Sequence, residues 1–147
     1  MKIFFVTDRA DAHVARFDAL FEGISSSYSL ATVTYSPKGI PSVTLGDHLV
    51  EGWDEIRGIL ETEKVLVISG PLDTVTSELA EGKYHHIGIS WATDVMVTAA
   101  SGFPELESLQ STVLVLDLVV TDNYATENAV VGLGVHANKV LRIPWGP

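Results

Sequence analysis

Five short apolar runs, KIFFVT, KVLVIS, HIGIS, LVVT and KVLRI, recur along the chain with amphipathic stretches between them. A short continuous apolar run suits a strand buried on both faces, and spacings of three and four suit a helix with one buried stripe. The first run ends at Thr7 and Asp8, and Val14, Phe17, Phe21 and Ile24 then fall at helical spacing, with Gly23 close to the stripe's end. YSLATVTY, from Tyr28 to Tyr35, reads as a second strand closed by Ser36-Pro37-Lys38-Gly39, and PSVTL as a short third. Asp47 is placed to cap a helix whose Leu49, Val50, Trp53, Ile56 and Leu60 share one face. Asp73 or Thr74 caps a short helix around Leu79, with Gly82 placed to end it. HIGIS follows as a strand, and a stretch of small residues, TAASG, leads to Pro104. Pro104 takes the first position of a helix carrying Leu106, Leu109, Val113 and Leu116. The segment from Tyr124 to Leu133 is the last helix, finishing on Gly134. Repeated strand–helix–strand units predict a single α/β domain, a Rossmann-like parallel sheet of about six or seven strands with helices on both faces.

Composition agrees and removes whole classes of function. The 147 residues are 46% apolar and 19% charged, enough to bury a sizeable core. A formal charge of −10, with nine basic residues scattered and never in a run, excludes a phosphate-neutralising surface for nucleic acid and disfavours an anionic membrane. The absence of cysteine removes disulfides and thiolate chemistry and suits a cytoplasmic location. The opening MKIFFV is too brief for a signal peptide or a transmembrane segment.

In an open parallel sheet, ligands bind beyond the carboxyl ends of the strands, which turns the strand order into a list of candidates. The first strand delivers Thr7, Asp8 and Arg9, followed by Asp11 and His13. KVLVIS delivers Ser69, Gly70 and Pro71; HIGIS delivers Ser90, Trp91, Thr93 and Asp94; LVVT delivers Thr121, Asp122 and Asn123. Carboxylates, hydroxyls and an aromatic face at adjacent strand exits suit a small hydroxylated ligand. Bland readings stand beside this one. Asp8 and Asp122 equally well accept hydrogen bonds from helix N-termini, and a place in the core is the more common fate of a tryptophan such as Trp91. His13 and Arg16 can form a solvated helix face, and His85 and His86, just ahead of a strand, read as edge or surface residues. The five histidines lack metal-ligand spacing, so no metal or cofactor is expected.

Several signatures are excluded. VTDRADAHVARF contains no glycine where a dinucleotide fingerprint would need three, and no Walker lysine loop or G-x-S-x-G elbow occurs. Asp8 has neither the acidic pair nor the late strand-end lysine of a phospho-receiver.

The closing stretch VVTDNYATENAVVGLGVHANKVLRIPWGP carries Thr121-Asp122, Leu133-Gly134-Val135, Lys139-Val140 and Ile143-Pro144-Trp145-Gly146 in that order. This course resembles the end of the N-terminal domain in family 4 glycosyltransferases of the GT-B architecture. There a strand runs into a Pro-x-Gly turn that crosses to a second domain. Upstream, VLVISGP and GISWATDV look like that family's strand ends at the interdomain cleft, so the resemblance spans nearly the whole chain. It implies that residues 1–147 form the acceptor-side lobe of a retaining hexosyltransferase. The C-terminal nucleotide-sugar domain would then be absent, and the lobe inactive by itself. The nucleotide-sugar is then a co-substrate rather than a cofactor, the partners being that donor, a carbohydrate or small-molecule acceptor and the missing domain. It implies substrate-binding roles for Asp8, Arg9, His13, Ser69, Gly70, Ser90, Trp91, Thr93 and Asp122, and a catalytic-site role for Asp94 in orienting sugar hydroxyls. No histidine neighbours Asp94, and the first loop lacks the double glycine common in that family. A stand-alone flavodoxin-like module that binds a sugar or nucleotide without chemistry is the alternative. A two-domain phosphosugar epimerase shares the architecture but has no specific signal here.

Overall fold

A computed structural model gives the architecture; the structure describes residues 2–10, 14 and 28–144. The elements run β1 (Ile3–Asp8), β2 (Tyr28–Tyr35), β3 (Pro41–Leu45), β4 (His48–Glu51) and α1 (Trp53–Glu63). Then come β5 (Leu66–Ser69), α2 (Thr74–Leu79), β6 (His85–Ile89), α3 (Thr93–Ser101) and α4 (Glu105–Val115). β7 (Leu118–Thr121), α5 (Tyr124–Gly132), a 3-10 turn at Ala137–Lys139 and β8 (Val140–Arg142) complete the chain. The strands form one eight-stranded sheet in the order β4-β3-β2-β1-β5-β6-β7-β8. From β2 to β8 every pairing is parallel, while β3 and β4 add an antiparallel edge. The fold is α/β and Rossmann-like, with the strand order reversing direction between β1 and β5.

The pleat divides the sheet's side chains cleanly. Phe4, Val6, Ala31, Val33, Val67 and Val119 share one face by register, and the buried residues of α1 to α5 gather there. Ile56 and Leu60 of α1 and Val75 and Leu79 of α2 meet Phe4, Val6 and Val67, while Val95, Leu109, Val113 and Val130 meet Val119. Each of these side chains, fully removed from water, contributes about 1.5–3 kcal/mol. The opposite face carries Phe5, Ile89 and Val120 at its centre, with Leu30, Ile68, Ile87 and Trp91 packed around them. The helical stripe expected at Val14, Phe17, Phe21 and Ile24, together with Asp11, His13, Arg16, Trp145 and Gly146, lies outside the described residues apart from Val14.

Two local readings of the sequence are corrected. Asp47 caps no helix. Gly46 and Asp47 form the two-residue loop of the β3–β4 hairpin, and Gly46 takes a φ of 62° at its first position, where glycine has no Cβ to clash. Helix α1 begins only after Gly52, whose φ of 82° lies outside the helical region, so Leu49 is left 70% exposed on the edge strand. The small-residue stretch belongs to a helix, α3, that buries Val95 alone. The count of eight strands exceeds the expected number because the hairpin lies at a helix-like apolar spacing.

Two caps match local chemistry. Asp73 accepts from Val75 N at 3.0 Å to start α2, and Asn123 accepts from Thr126 N at 2.9 Å to start α5. Arg57 anchors α1 to α2 by donating to Glu78 O at 2.8 Å and to Asp54 Oδ1 at 2.7 Å.

Candidate functional site

The strand order reverses between β1 and β5, the switch point at which an open α/β sheet places its ligand crevice, beyond the carboxyl ends of the strands. Its base is tied across: Thr7 Oγ1, buried at the end of β1, donates to Gly70 O at 2.6 Å. Gly70 allows the exit of β5 to run hard against β6, since a Cβ there would sit 2.8 Å from Ile89 O. Trp91 lies on the same contact, its ring edge 3.3 Å from that Cβ position, and packs partly into the apolar cluster of Phe5 and Ile89. Trp91 is therefore partly a core residue, and it is only half-buried.

Asp94 closes the β6 exit. Its Oδ2 accepts from Leu72 N at 2.7 Å, and its Oδ1 accepts from Ser90 Oγ at 2.7 Å and from Val95 N at 2.9 Å. Ser90 Oγ in turn accepts from Ala92 N at 3.0 Å. Both carboxylate oxygens are thus engaged with the chain's own donors, and the loops following β5 and β6 are held together by one side chain. Thr93, the first residue of α3, is exposed beside this clamp.

Asp8 and Asp122 resolve as local supports with solvent access. Asp8 Oδ1 accepts from Ala10 N at 2.8 Å in the turn after β1. Asp122 Oδ1 accepts from Asn123 Nδ2 at 2.7 Å and so steadies the residue that caps α5. Arg9 is exposed, its backbone N–H bonded to Val33 O. His13 lies outside the described residues. Tyr35, at the exit of β2, completes this rim and was not among the sequence candidates, although the strand-exit rule reaches it equally well. Its phenol is pushed up, first by partial burial and then by Asp8, Asp73 and Glu78, which places three carboxylates around it. At the far side, Arg142 pairs with Glu127 at 2.8 Å and stacks 3.3 Å above the Tyr124 ring, joining β8 to α5.

Ser69 and His86 do not face the crevice. The register puts Ser69, His86, Ser90 and Thr121 on the face turned toward the helices, and all four are buried. His86, read from sequence as an edge or surface residue, is core; His85 beside it is exposed as expected. The physical reason is the pleat, which sends adjacent residues to opposite faces. Ser69 Oγ lies 2.7 Å from His86 Nε2 and 2.8 Å from Thr76 Oγ1, and Thr76 Oγ1 donates to Pro71 O at 2.7 Å. The proton order follows from one certainty, that a carbonyl only accepts. Thr76 spends its proton on Pro71 O, so it accepts from Ser69, and Ser69 must accept from His86 Nε2–H. The serine proton therefore points away from the imidazole, and the pair is a structural relay rather than a base and its nucleophile. Burial pushes the His86 imidazole down to about 4, with Asp117 opposing, and its Nδ1 has no hydrogen-bond partner among the described residues.

Among the described residues no three His, Asp or Glu side chains come together as a metal cluster, and no helix is long and apolar enough to cross a membrane. A 540 Å³ cavity bounded by Lys64, Lys83, Tyr84, His85 and Asp117 lies at the opposite, amino end of β5 and β6. No family model matches the chain, and neither a curated protein nor a solved structure is similar to it.

Proposed function

We propose that this chain is the acceptor-side lobe of a retaining GT-B glycosyltransferase of the family 4 type, binding sugar-bearing ligands beyond the carboxyl ends of β1, β5, β6 and β7. The observation that carries the reading is the reversal of strand order at β1 and β5, rimmed by Asp8, Arg9, Trp91, Thr93 and Asp122. Support comes also from the order of motifs through Thr121-Asp122, Leu133-Gly134-Val135 and Ile143-Pro144. A hydroxyl-rich ligand needs acceptors, donors and an aromatic edge, and these side chains supply all three at one end of the sheet. Asp94 serves the site as a positioning residue, because its carboxylate fixes the Ser90–Trp91 turn against Leu72. Retaining transfer relies on electrostatic stabilisation of a cationic sugar and a leaving diphosphate, for which Arg9 offers a guanidinium. The resemblance assigns the donor-binding residues to a second domain, so binding without turnover is expected of residues 1–147 by themselves. The engaged carboxylate of Asp94 also suits a binding module without chemistry, which would hold its ligand tightly unaided.

The test is a nuclear magnetic resonance titration of the isotope-labelled chain with UDP-glucose, GDP-mannose and free hexoses. Shifts clustered on Asp8, Arg9, Trp91 to Asp94 and Asp122 support the reading, and Asp94→Ala should weaken them by disordering the Trp91 turn. Shifts confined elsewhere, or none across the panel at millimolar ligand, overturn it.

A further inference from the structure

The face of the sheet opposite α1–α5 carries a second feature, on the antiparallel edge. A 300 Å³ groove there is lined by Arg9, Thr32, Thr34, Ser42 and Thr44 among others. Its floor is a lattice of hydroxyls set by register. Thr34 lies opposite Ser42, their oxygens 3.0 Å apart, and continuing the same antiparallel register brings Thr32 toward Thr44. Spacings of about 5 Å across strands and about 7 Å along them spread the four hydroxyls over an area about the size of one sugar ring. Arg9 stands at the β1 end, two residues beyond Thr7, whose strand partner is Thr32, and so on the same side as the hydroxyls. Asp8 alternates to the other face. Leu49, directly opposite Thr44, lines the far end.

Arg9 differs from the other described arginines in having no carboxylate partner. The chain carries a formal −10, and Arg57 and Arg142 each hold a carboxylate, as does Lys2. Arg9 has no side-chain hydrogen bond or ion pair with any described residue, and the hydroxyls of Thr32 and Thr44 likewise have none. A guanidinium with all its side-chain donors unspent, set beside free hydroxyls, is matched by a phosphate joined to a polyol. We propose that this groove binds a monosaccharide phosphate, the phosphate on Arg9 and the ring hydroxyls on Thr32, Thr34, Ser42 and Thr44. The volume is at the small end for ligand sites, which fits one sugar ring and not a nucleotide-sugar. The inference stands apart from the crevice, since the groove is built from β2 and β3 and shares only Arg9 with it.

The experiment compares glucose 6-phosphate, glucose and inorganic phosphate as probes on the labelled chain. Glucose 6-phosphate should shift the amides of Arg9, Thr32, Thr34 and Thr44 and bind at least ~10-fold tighter than either fragment, the scale of one charge-assisted contact added to a polyol. Arg9→Gln should remove that preference, and Thr44→Val should weaken glucose 6-phosphate several-fold while leaving phosphate unchanged, with circular dichroism confirming the fold of both variants. Equal affinity for phosphate and glucose 6-phosphate, an unaltered Arg9→Gln, or shifts outside the groove would each overturn the proposal. Shifts at Trp91 to Asp94 with a nucleotide-sugar report on the crevice alone, so either site can fail without the other.

Discussion

Replacing His86 by glutamine should remove one specific segment of the chain's acid sensitivity. His86 is buried, donates through Nε2 to Ser69, and has no acceptor for a second ring proton among the described residues. Its folded-state pKa of about 4 lies below the ordinary 6.5, so between those values the unfolded chain binds a proton that the native chain refuses. Stability linked to this group is therefore full above pH 6.5, declines as the pH falls from 6.5 and levels off below about 4. The interval from 6.5 to about 4, at about 1.4 kcal/mol per pH unit, makes about 3 kcal/mol, a large share of a domain's stability. Carboxylates titrate in the same range, so the informative quantity is the difference between two proteins. Urea unfolding of the wild type and His86→Gln, followed by circular dichroism at half-unit pH steps, gives that difference. Glutamine's amide can still donate to Ser69, so the relay to Thr76 and Pro71 survives the change. The expected difference curve is flat above pH 6.5 and slopes only below it. Parallel stability curves for the two proteins, or an imidazole resonance of His86 titrating near 6.5, would refute the buried neutral assignment.

Two further changes probe the packing that shapes the site. Gly88→Ala places a Cβ 2.5 Å from Leu116 Cδ1 and 2.7 Å from Leu72 Cδ2, both in the buried cluster beneath the crevice. Chemical denaturation should show a loss of about 1–3 kcal/mol from overpacking, and unchanged stability would mean that the leucines move aside freely. Thr121→Val removes a fully buried hydroxyl that has no hydrogen-bond partner among the described residues, and keeps the side chain's shape. A gain of about 1 kcal/mol is expected in the same assay, because an unpaired buried hydroxyl costs roughly that much. A destabilised Thr121→Val variant would show that the hydroxyl is bonded after all.

The regular elements were legible because their signals are local. Run length and period separate strands from helices within a handful of residues, and KIFFVT, YSLATVTY, KVLVIS and LVVT became β1, β2, β5 and β7 within a residue or two. Asp73 as a cap needed only its neighbours in sequence. The hairpin was misread for the same reason, since the apolar spacing from Leu49 to Leu60 is helical and only the backbone turn at Gly46 shows that a strand intervenes.

The site divides along a different line. Sequence alone established an alternating α/β chain and the polar residues that leave each strand, because chain order fixes where a strand stops. It could not establish which way each of those residues points, since that depends on which face of the sheet the helices cover, a property of pairings 30 or more residues apart such as His86 with Asp117. Ser69, Ser90 and Thr121 leave their strands at the end where open sheets bind ligands yet turn inward, while Arg9, one residue after Asp8, turns to the opposite face and is exposed. A shift of one position along a strand exchanges core for surface, and only the folded pairing of strands sets that register.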